Sequence, residues 1–486
     1  MIRALLASTI AFLTVACGPA GDQGPVNIAV IGDREALDVS GIWLSPGDQH
    51  LQAASNEGLV ALDSSGQVVP AIAERWIVTD DGLSYIFRLR NSNWTNGEAI
   101  TASDVRRMLQ TRLRELEGTS LGLDLAKVVE VRAMTGRVIE VRLSGPMPQF
   151  LRLLAQPELG FASGRSGAGP MVVERDDTSS IVGLAMLPPE SRGLPAREDW
   201  EDLTRPLAVR SLPASEAIDA FANGSVDLVL NGSITDFPMI ELGPLSRGAV
   251  QVDPAIGLFG LIVRSDSGVL ADPRRREALS MAIDREALIQ PFGLGGWVSS
   301  TWIVPPEWFS SGTLAANRWP ELSLEERRAV ARQRIAAWGG GEAVIRVGLP
   351  DGPGGDLMFD ALSSSWRQIG VTTQRVGIGE GGDLELRDRL ARYSSPRWFL
   401  NQLNCTIALG LCSEEADALV RDSLALKDPE SKELLLIEAH SILTDAEVFI
   451  PLGAPVRWSL VRGSVEGYQP NPWGLHPLSA LAVSPN

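Results

Sequence analysis

A chain of 486 residues is too long for one compact core and predicts two or more lobes. Its 44% hydrophobic and 21% charged content is that of an ordinary folded protein. A formal net charge of −17 argues against nucleic acid or an anionic lipid surface as an electrostatically steered partner, and acidity alone favours no particular ligand.

The N-terminus predicts export. Arg3 supplies a minimal positive n-region, and Ala4 to Ala16 form an apolar run too short to span a bilayer, so residues 1–16 read as a secretory signal peptide. The run ends in Leu13-Thr-Val-Ala16-Cys17-Gly18, similar to a bacterial lipobox. In that reading the Cys17 thiol takes diacylglycerol, and cleavage before it frees an amine for a further acyl chain. More than one acyl chain gives stable anchoring, where a single chain is marginal. Thr14 departs from the pattern, which prefers leucine there; the alternative is a plain signal peptide with an incidental cysteine. Residues 17–26, rich in Gly and Pro, read as a lipidated tether.

Between Trp76 and Arg90 the alternation at Tyr85, Phe87 and Leu89 predicts a half-buried strand. Asp80-Asp81-Gly82 and Asn96-Gly97 are turn chemistry. Thr101 is the expected N-cap of a helix whose apolar face carries Val105, Met108, Leu109 and Leu113. From Val128 two alternating strands lead through a Gly-Pro turn into a short helix. Ala214 to Leu230 predicts a helix followed by a buried strand, and Gly257 to Arg264 another strand. A helix beginning at Asp272 places Ala278, Leu279, Ala282 and Ile283 on one side. Its opening run Arg274 to Arg276 is expected to be solvated or bridged to acids rather than to bind an anion. Ile345 to Leu349 predicts a strand and Met358 to Ile369 a helix. Alternating strands and helices indicate an α/β class. No internal repeat, heptad run or second apolar span appears.

The stretch Asn56 to Val105 resembles the signature block of the oligopeptide, dipeptide and nickel type of solute-binding receptor of bacterial ABC importers. An "EGL" turn (Glu57, Gly58, Leu59) precedes Pro70, Ala73 and Trp76. Asp81, Gly82, Tyr85, Phe87, Leu89 and Arg90 follow, then Asn96-Gly97 and Thr101, Ala102, Asp104, Val105, all in register. Further matches are Val138, Val141, Leu143, Pro146, Pro148, Phe150 and Leu151, the crossover Gly167-Ala-Gly-Pro170, and Asp272 to Arg285. The resemblance covers roughly residues 56–455. It implies an α/β, two-lobed, three-domain periplasmic binding protein of type II (cluster C-like). The implied division is 27–55, 166–256 and 455–486 as one domain, 56–165 as a small inserted domain, and 257–454 as the second lobe.

The catalytic inventory is thin. His50, His440 and His476 lack metal-ligand spacing, so no metal site is expected. Ser166 misses the GxSxG elbow because Ala168 holds the last position, and reads as crossover loop. Gly377 to Gly382 is a glycine-rich turn with acids in it, more consistent with a loop than a phosphate cradle. Cys405 and Cys412 are left once Cys17 is lipidated, and an oxidising compartment favours a structural disulfide between them over free thiols.

Leu390 to Asn401 is the informative segment. Peptide-binding members of the family carry an aspartate there that holds the ligand's α-amino group. Ala391, Tyr393, Pro396, Phe399, Leu400 and Asn401 match, but Arg392 stands in place of the aspartate, Arg389 in place of a tryptophan, and Ser394-Ser395 replace a polar-acidic pair. A cationic amine would be repelled by Arg392, whereas a guanidinium suits carboxylate or phosphate. The alternative is that Arg392 points to solvent or pairs with Asp388. Arg389, Arg392, Tyr393 and Trp398 are therefore the ligand-binding candidates. The resemblance implies a monomeric periplasmic receptor, not an enzyme and without a cofactor, that takes a peptide or other small solute. Its partners would be ABC permease subunits, with a membrane contact through the lipid alone. A receptor-derived, non-transporting protein of envelope sensing or assembly is the alternative.

Overall fold

The computed structural model describes residues 24–34, 37–175, 180–240, 248–310, 312 and 314–484; Cys17 and the N-terminal segment lie outside the described residues. Three sheets organise the chain. A seven-stranded sheet runs in the order Met171–Arg175, Val182–Met186, Leu207–Leu212, Val26–Ile31, Leu228–Ser233, Arg457–Val461, Val250–Asp253. Val26–Ile31 lies parallel to both of its neighbours, and the flanking pairs are antiparallel. A four-stranded antiparallel sheet (Ala73–Val78, Ser84–Leu89, Val138–Leu143, Val128–Met134) carries the helix Ala102–Glu115. The third sheet has five strands: Val371–Val376, Ala343–Gly348, Leu384–Leu390, Gly257–Val263, Phe449–Gly453.

The local rules hold where burial is one-sided. Tyr85, Phe87 and Leu89 are buried, Thr101 accepts the backbone N–H of Asp104, and Gly82 and Gly97 adopt the positive φ those turns require. Strand Gly257–Val263 is buried on both faces: Leu258 and Ile262 join one apolar cluster, while Phe259, Leu261 and Val263 join another. The first of these clusters is continuous from the four-stranded unit to Trp398, Phe399 and Leu400, so the two lobes share apolar packing.

The helix after Asp272 spans Pro273–Ala282 and is capped by the Asp272 side chain. Its arginine run is corrected in one member. Arg274 is exposed and Arg275 bridges to Asp272, but Arg276 is buried and donates to the carbonyls of Leu270 and Ala446. Backbone carbonyls rather than acid side chains accept its hydrogen bonds. The crossover at Gly167 and Gly169 presses on the end of helix Pro46–Ser55, where an added Cβ would meet Ser55 at 2.0 and 2.4 Å. Ser166 sits in this two-residue strand pairing with Ala162–Ser163.

Trp458 staples the centre of the seven-stranded sheet. It is fully buried, its indole N–H donates to Ser233 O at 2.7 Å, and its ring occupies the space a Cβ on Gly232 would need. Trp458→Ala is expected to cost about 3–5 kcal/mol of stability, as for other buried aromatic truncations. Gly232→Ala is expected to destabilise as well, because its methyl would lie 2.0 Å from the ring. Urea unfolding midpoints check both; an unshifted Gly232→Ala would refute the packing.

Candidate functional site

A cavity of about 660 Å³ opens between the lobes, within the range that encloses small ligands. One wall comes from the lead-in and body of helix Pro46–Ser55 (Trp43, Gln49, His50), from Asn231 and Arg457 of the seven-stranded sheet, and from Ser120 and Glu158 beside the four-stranded unit. The facing wall is Arg387, Asp388, Arg389, Arg392 and Trp398.

Each wall has a local cause. Ser45 and Asp48 form a capping box that fixes the start of the helix bearing Gln49 and His50. Asn231 lies in a register shift of strand Leu228–Ser233 with φ of 66°, and its side chain donates to Ile31 O at 2.9 Å. A bulge of this kind re-aims a side chain out of the ladder. In strand Leu384–Leu390, Leu384 and Leu386 go to the core, while Arg387 and Arg389 alternate onto the other face. The partner strand approaches closely there: a Cβ on Gly257 would lie 2.0 Å from Arg389 O.

Of the residues singled out from sequence, Arg389, Arg392 and Trp398 line the cavity. Tyr393 stands behind the wall, buried, donating its hydroxyl to Asp124 Oδ1 at 2.9 Å. Arg392 is neither solvated nor paired with Asp388. It crosses between the lobes to Glu158 at 2.8 Å and Ser120 Oγ at 3.1 Å, and Asp388 is taken by Arg457 at 2.9 Å. The segment is a strand followed by a turn, so the four-residue helical spacing that would join Arg392 to Asp388 does not exist. Burial disfavours the Arg392 charge, but Glu158 and Asp124 outweigh it and its pKa is raised.

Asp124 anchors a second cross-lobe network. It accepts from Tyr393 and from Asn401 Nδ2 at 2.7 Å, while Arg397 donates to the carbonyls of Leu123 and Asp124. Its Oδ2 is buried without a partner among the described residues, and burial, opposed chiefly by Arg397, raises its pKa.

The side chains of Arg387 and Arg389 make no hydrogen bond or ion pair among the described residues. Burial pushes Arg387 down to about 10, with Arg389 adding to it. Arg389 is exposed within the cleft, yet the surrounding protein, Arg392 and Arg457 lower its pKa against the opposing effect of Asp388. The alternation of Arg387 with Arg389 was a readable signal for this pair. Glu158 and Asp124 had none, since they meet their partners only through tertiary structure.

The remaining sequence features resolve simply. The amides of Gly377 and Gly379 are satisfied by Glu380 and Glu385, each at 3.0 Å, which leaves that loop no phosphate cradle. Cys405 and Cys412 form a disulfide with Cα atoms 5.2 Å apart. Among the described residues no group of three or more His, Cys, Asp or Glu could hold a metal ion.

The sequence model described as "Bacterial extracellular solute-binding proteins, family 5 Middle" matches residues 67–181 and 205–392. Curated relatives include "Probable di/tripeptide-binding protein 5" of Pseudomonas aeruginosa strain UCBPP-PA14, 24% identical over 87% of this chain and 89% of that protein. Another is "Probable deoxycholate-binding periplasmic protein YgiS" of Escherichia coli K12, 25% identical over 85% and 84%. Among solved structures, Haemophilus influenzae OppA in complex with RPPGFSPFR superposes with a TM-score of 0.79, at 17% identity, over 96% of this chain and 100% of that one. The fold is thus the α/β, two-lobed type II periplasmic-binding-protein fold that the sequence implied.

His50 carries a pH dependence. Its Nδ1–H donates to Pro46 O at 2.8 Å, its Nε2 accepts the His476 backbone N–H at 3.3 Å, and burial pushes its pKa down to about 4. A histidine that binds its proton less readily folded than unfolded keeps full stability above pH 6.5 and loses it as pH falls toward 4, at no more than about 1.4 kcal/mol per pH unit. His50→Asn retains a donor for Pro46 and is expected to flatten the fall in unfolding free energy between pH 6.5 and 4. An unaltered slope would assign that fall to other groups.

Proposed function

Because the chain belongs to the bacterial extracellular solute-binding proteins of family 5, we propose that it is the exported, lipid-anchored receptor of an ABC importer. It captures a peptide or peptide-like small solute between its lobes and delivers it to a membrane permease. The observation that carries this reading is the cavity of about 660 Å³ whose walls come from both lobes, so that closure encloses whatever it holds. No bond is made or broken in this role, and it calls for no cofactor. Relatives named for di/tripeptides and for deoxycholate support a small-solute ligand while differing in its chemistry. The proposed domain limits are 27–55 with 166–256 and 455–486, then 56–165, then 257–454. Residues 1–16 are the signal peptide, and Cys17 is the acylated residue that holds a monomeric receptor at a membrane on the periplasmic side.

Two measurements test the reading. Cys17→Ala is expected to abolish incorporation of labelled fatty acid and to move the protein from the membrane to the soluble fraction; retention of label would place the anchor elsewhere or nowhere. Titration with N-acetylated di- to pentapeptides, followed by intrinsic tryptophan fluorescence and thermal unfolding, is expected to give saturable stabilisation, and its absence would remove peptides from the ligand class.

One observation favours a second reading, a receptor-derived protein that no longer transports. The position that would otherwise meet a solute, Arg392, is paired with Glu158 across the lobes, so a contact between protein groups alone joins them. Removing Glu158 leaves the half-buried Arg392 charge uncompensated, at a cost below the roughly 3–5 kcal/mol of a fully buried pair. Glu158→Gln is therefore expected to open the ligand-free protein, seen as a larger radius of gyration in X-ray scattering. A radius unchanged by the substitution would show that the pair does not control closure.

A further inference from the structure

Charged side chains on the cavity wall can be counted pair by pair. Two are acids, Glu158 and Asp388, and four are arginines, Arg387, Arg389, Arg392 and Arg457. Glu158 is taken by Arg392 and Asp388 by Arg457, both within hydrogen-bonding distance. Each carboxylate is thereby engaged through one oxygen, although Asp388 Oδ1 is buried without a hydrogen-bond partner, and the Arg387 and Arg389 side chains have no ion-pair partner among the described residues, Glu385 and Asp388 acting on them only at longer range. The chain has 60 acidic and 43 basic residues, so acids are not scarce. The two guanidiniums repel each other along one strand face, and the buried Arg387 Nε has no acceptor among the described residues.

We infer that the solute is a small anion, a carboxylate or phosphate compound without a free cationic amine, and that Arg387 and Arg389 hold its acidic end. The inference rests on the reading of the cleft as a solute site and specifies its ligand class. Residues two apart on one strand face stand about 7 Å from each other, so two guanidinium forks can grip two acidic groups or converge on one. A planar fork matches carboxylate and phosphate geometry through paired hydrogen bonds. A ligand amine entering the same cleft would find Glu158 and Asp388 already ion-paired and would meet like charge from Arg387 and Arg389. The rest of the ligand has an apolar surface to rest against: Trp43 is 82% exposed at the cleft edge, a large indole with little protein over it.

The test uses the mature full-length protein, calorimetry and thermal unfolding, and a size-matched panel. The panel holds N-acetyl dipeptides and other small carboxylates, phosphate monoesters, the corresponding neutral amides, and free-amine peptide amides. Arg387→Gln, Arg389→Gln and the double variant are measured beside the unaltered protein. Acids alone are expected to bind, and each substitution is expected to weaken them about tenfold or more, the scale of a lost charge-assisted hydrogen bond. The ligand-free variants are expected to melt at or above the temperature of the unaltered protein, because an unmatched charge has been removed. The carboxylate and phosphate arms separate the two acid classes. If neutral or cationic compounds bind as tightly as acids, or the double variant keeps its acid affinity, the inference is overturned while the receptor reading stands. If no compound of any charge class shifts unfolding or changes the scattering radius, the receptor reading fails and takes this inference with it.

Discussion

The ion pair between Arg392 and Glu158 decides how the lobes meet. Two desolvated charges are expensive, and their attraction offsets that cost only with good geometry and further hydrogen bonds. Here Ser120 supplies one and the nearby Asp124 carboxyl adds attraction. Within ten residues of chain, Arg392, Tyr393, Arg397 and Asn401 all reach across to the short segments around Asp124 and Glu158. Apolar packing through Trp398 and Phe399 supplies area without direction. The polar groups supply direction, since hydrogen bonds from the Arg392 fork and to the Asp124 carboxylate form only over a narrow range of distance and angle.

That arrangement has a consequence for the cavity. An acid at position 392 would have added a negative group to the cleft. An arginine there consumes one instead, because it draws Glu158 out of the wall's free charge. Arg457 does the same to Asp388 from the other side. The cleft is therefore cationic in a strongly acidic protein, and the sign follows from which acids are already engaged rather than from composition.

What could be read from sequence tracks the range of the interactions that set it. The strand Ser84–Leu89 and the cap at Thr101 were legible because burial on one face and a cap bond act within a few residues. The family block lies in that well-patterned region and fixed the scaffold. Arg276 was misjudged because its acceptor, Ala446 O, lies 170 residues along the chain. The partner of Arg392 is 234 residues away, and that of Tyr393 is 269. Asp124 closes a five-residue helix that carries no periodic signal. Sequence could therefore place Arg389, Arg392 and Trp398 at the cleft, but not say which of them was already spoken for.

The two sets of arginines act in opposite directions on closure. A ligand shifts a two-state receptor only by its differential affinity for the two states. Contacts made by the protein alone, such as Arg392 with Glu158, favour the closed state whether or not the cleft is filled, and by themselves would weaken that dependence. Arg387 and Arg389 oppose them, because closing an empty cleft strips water from unmatched cations and brings Arg389 under the influence of Arg457 from the facing lobe. An anion converts that penalty into attraction in the closed state only, where the dielectric is low. On the proposed reading, the Arg392–Glu158 pair would set the geometry of closure, and the unmatched pair would restore its dependence on a solute.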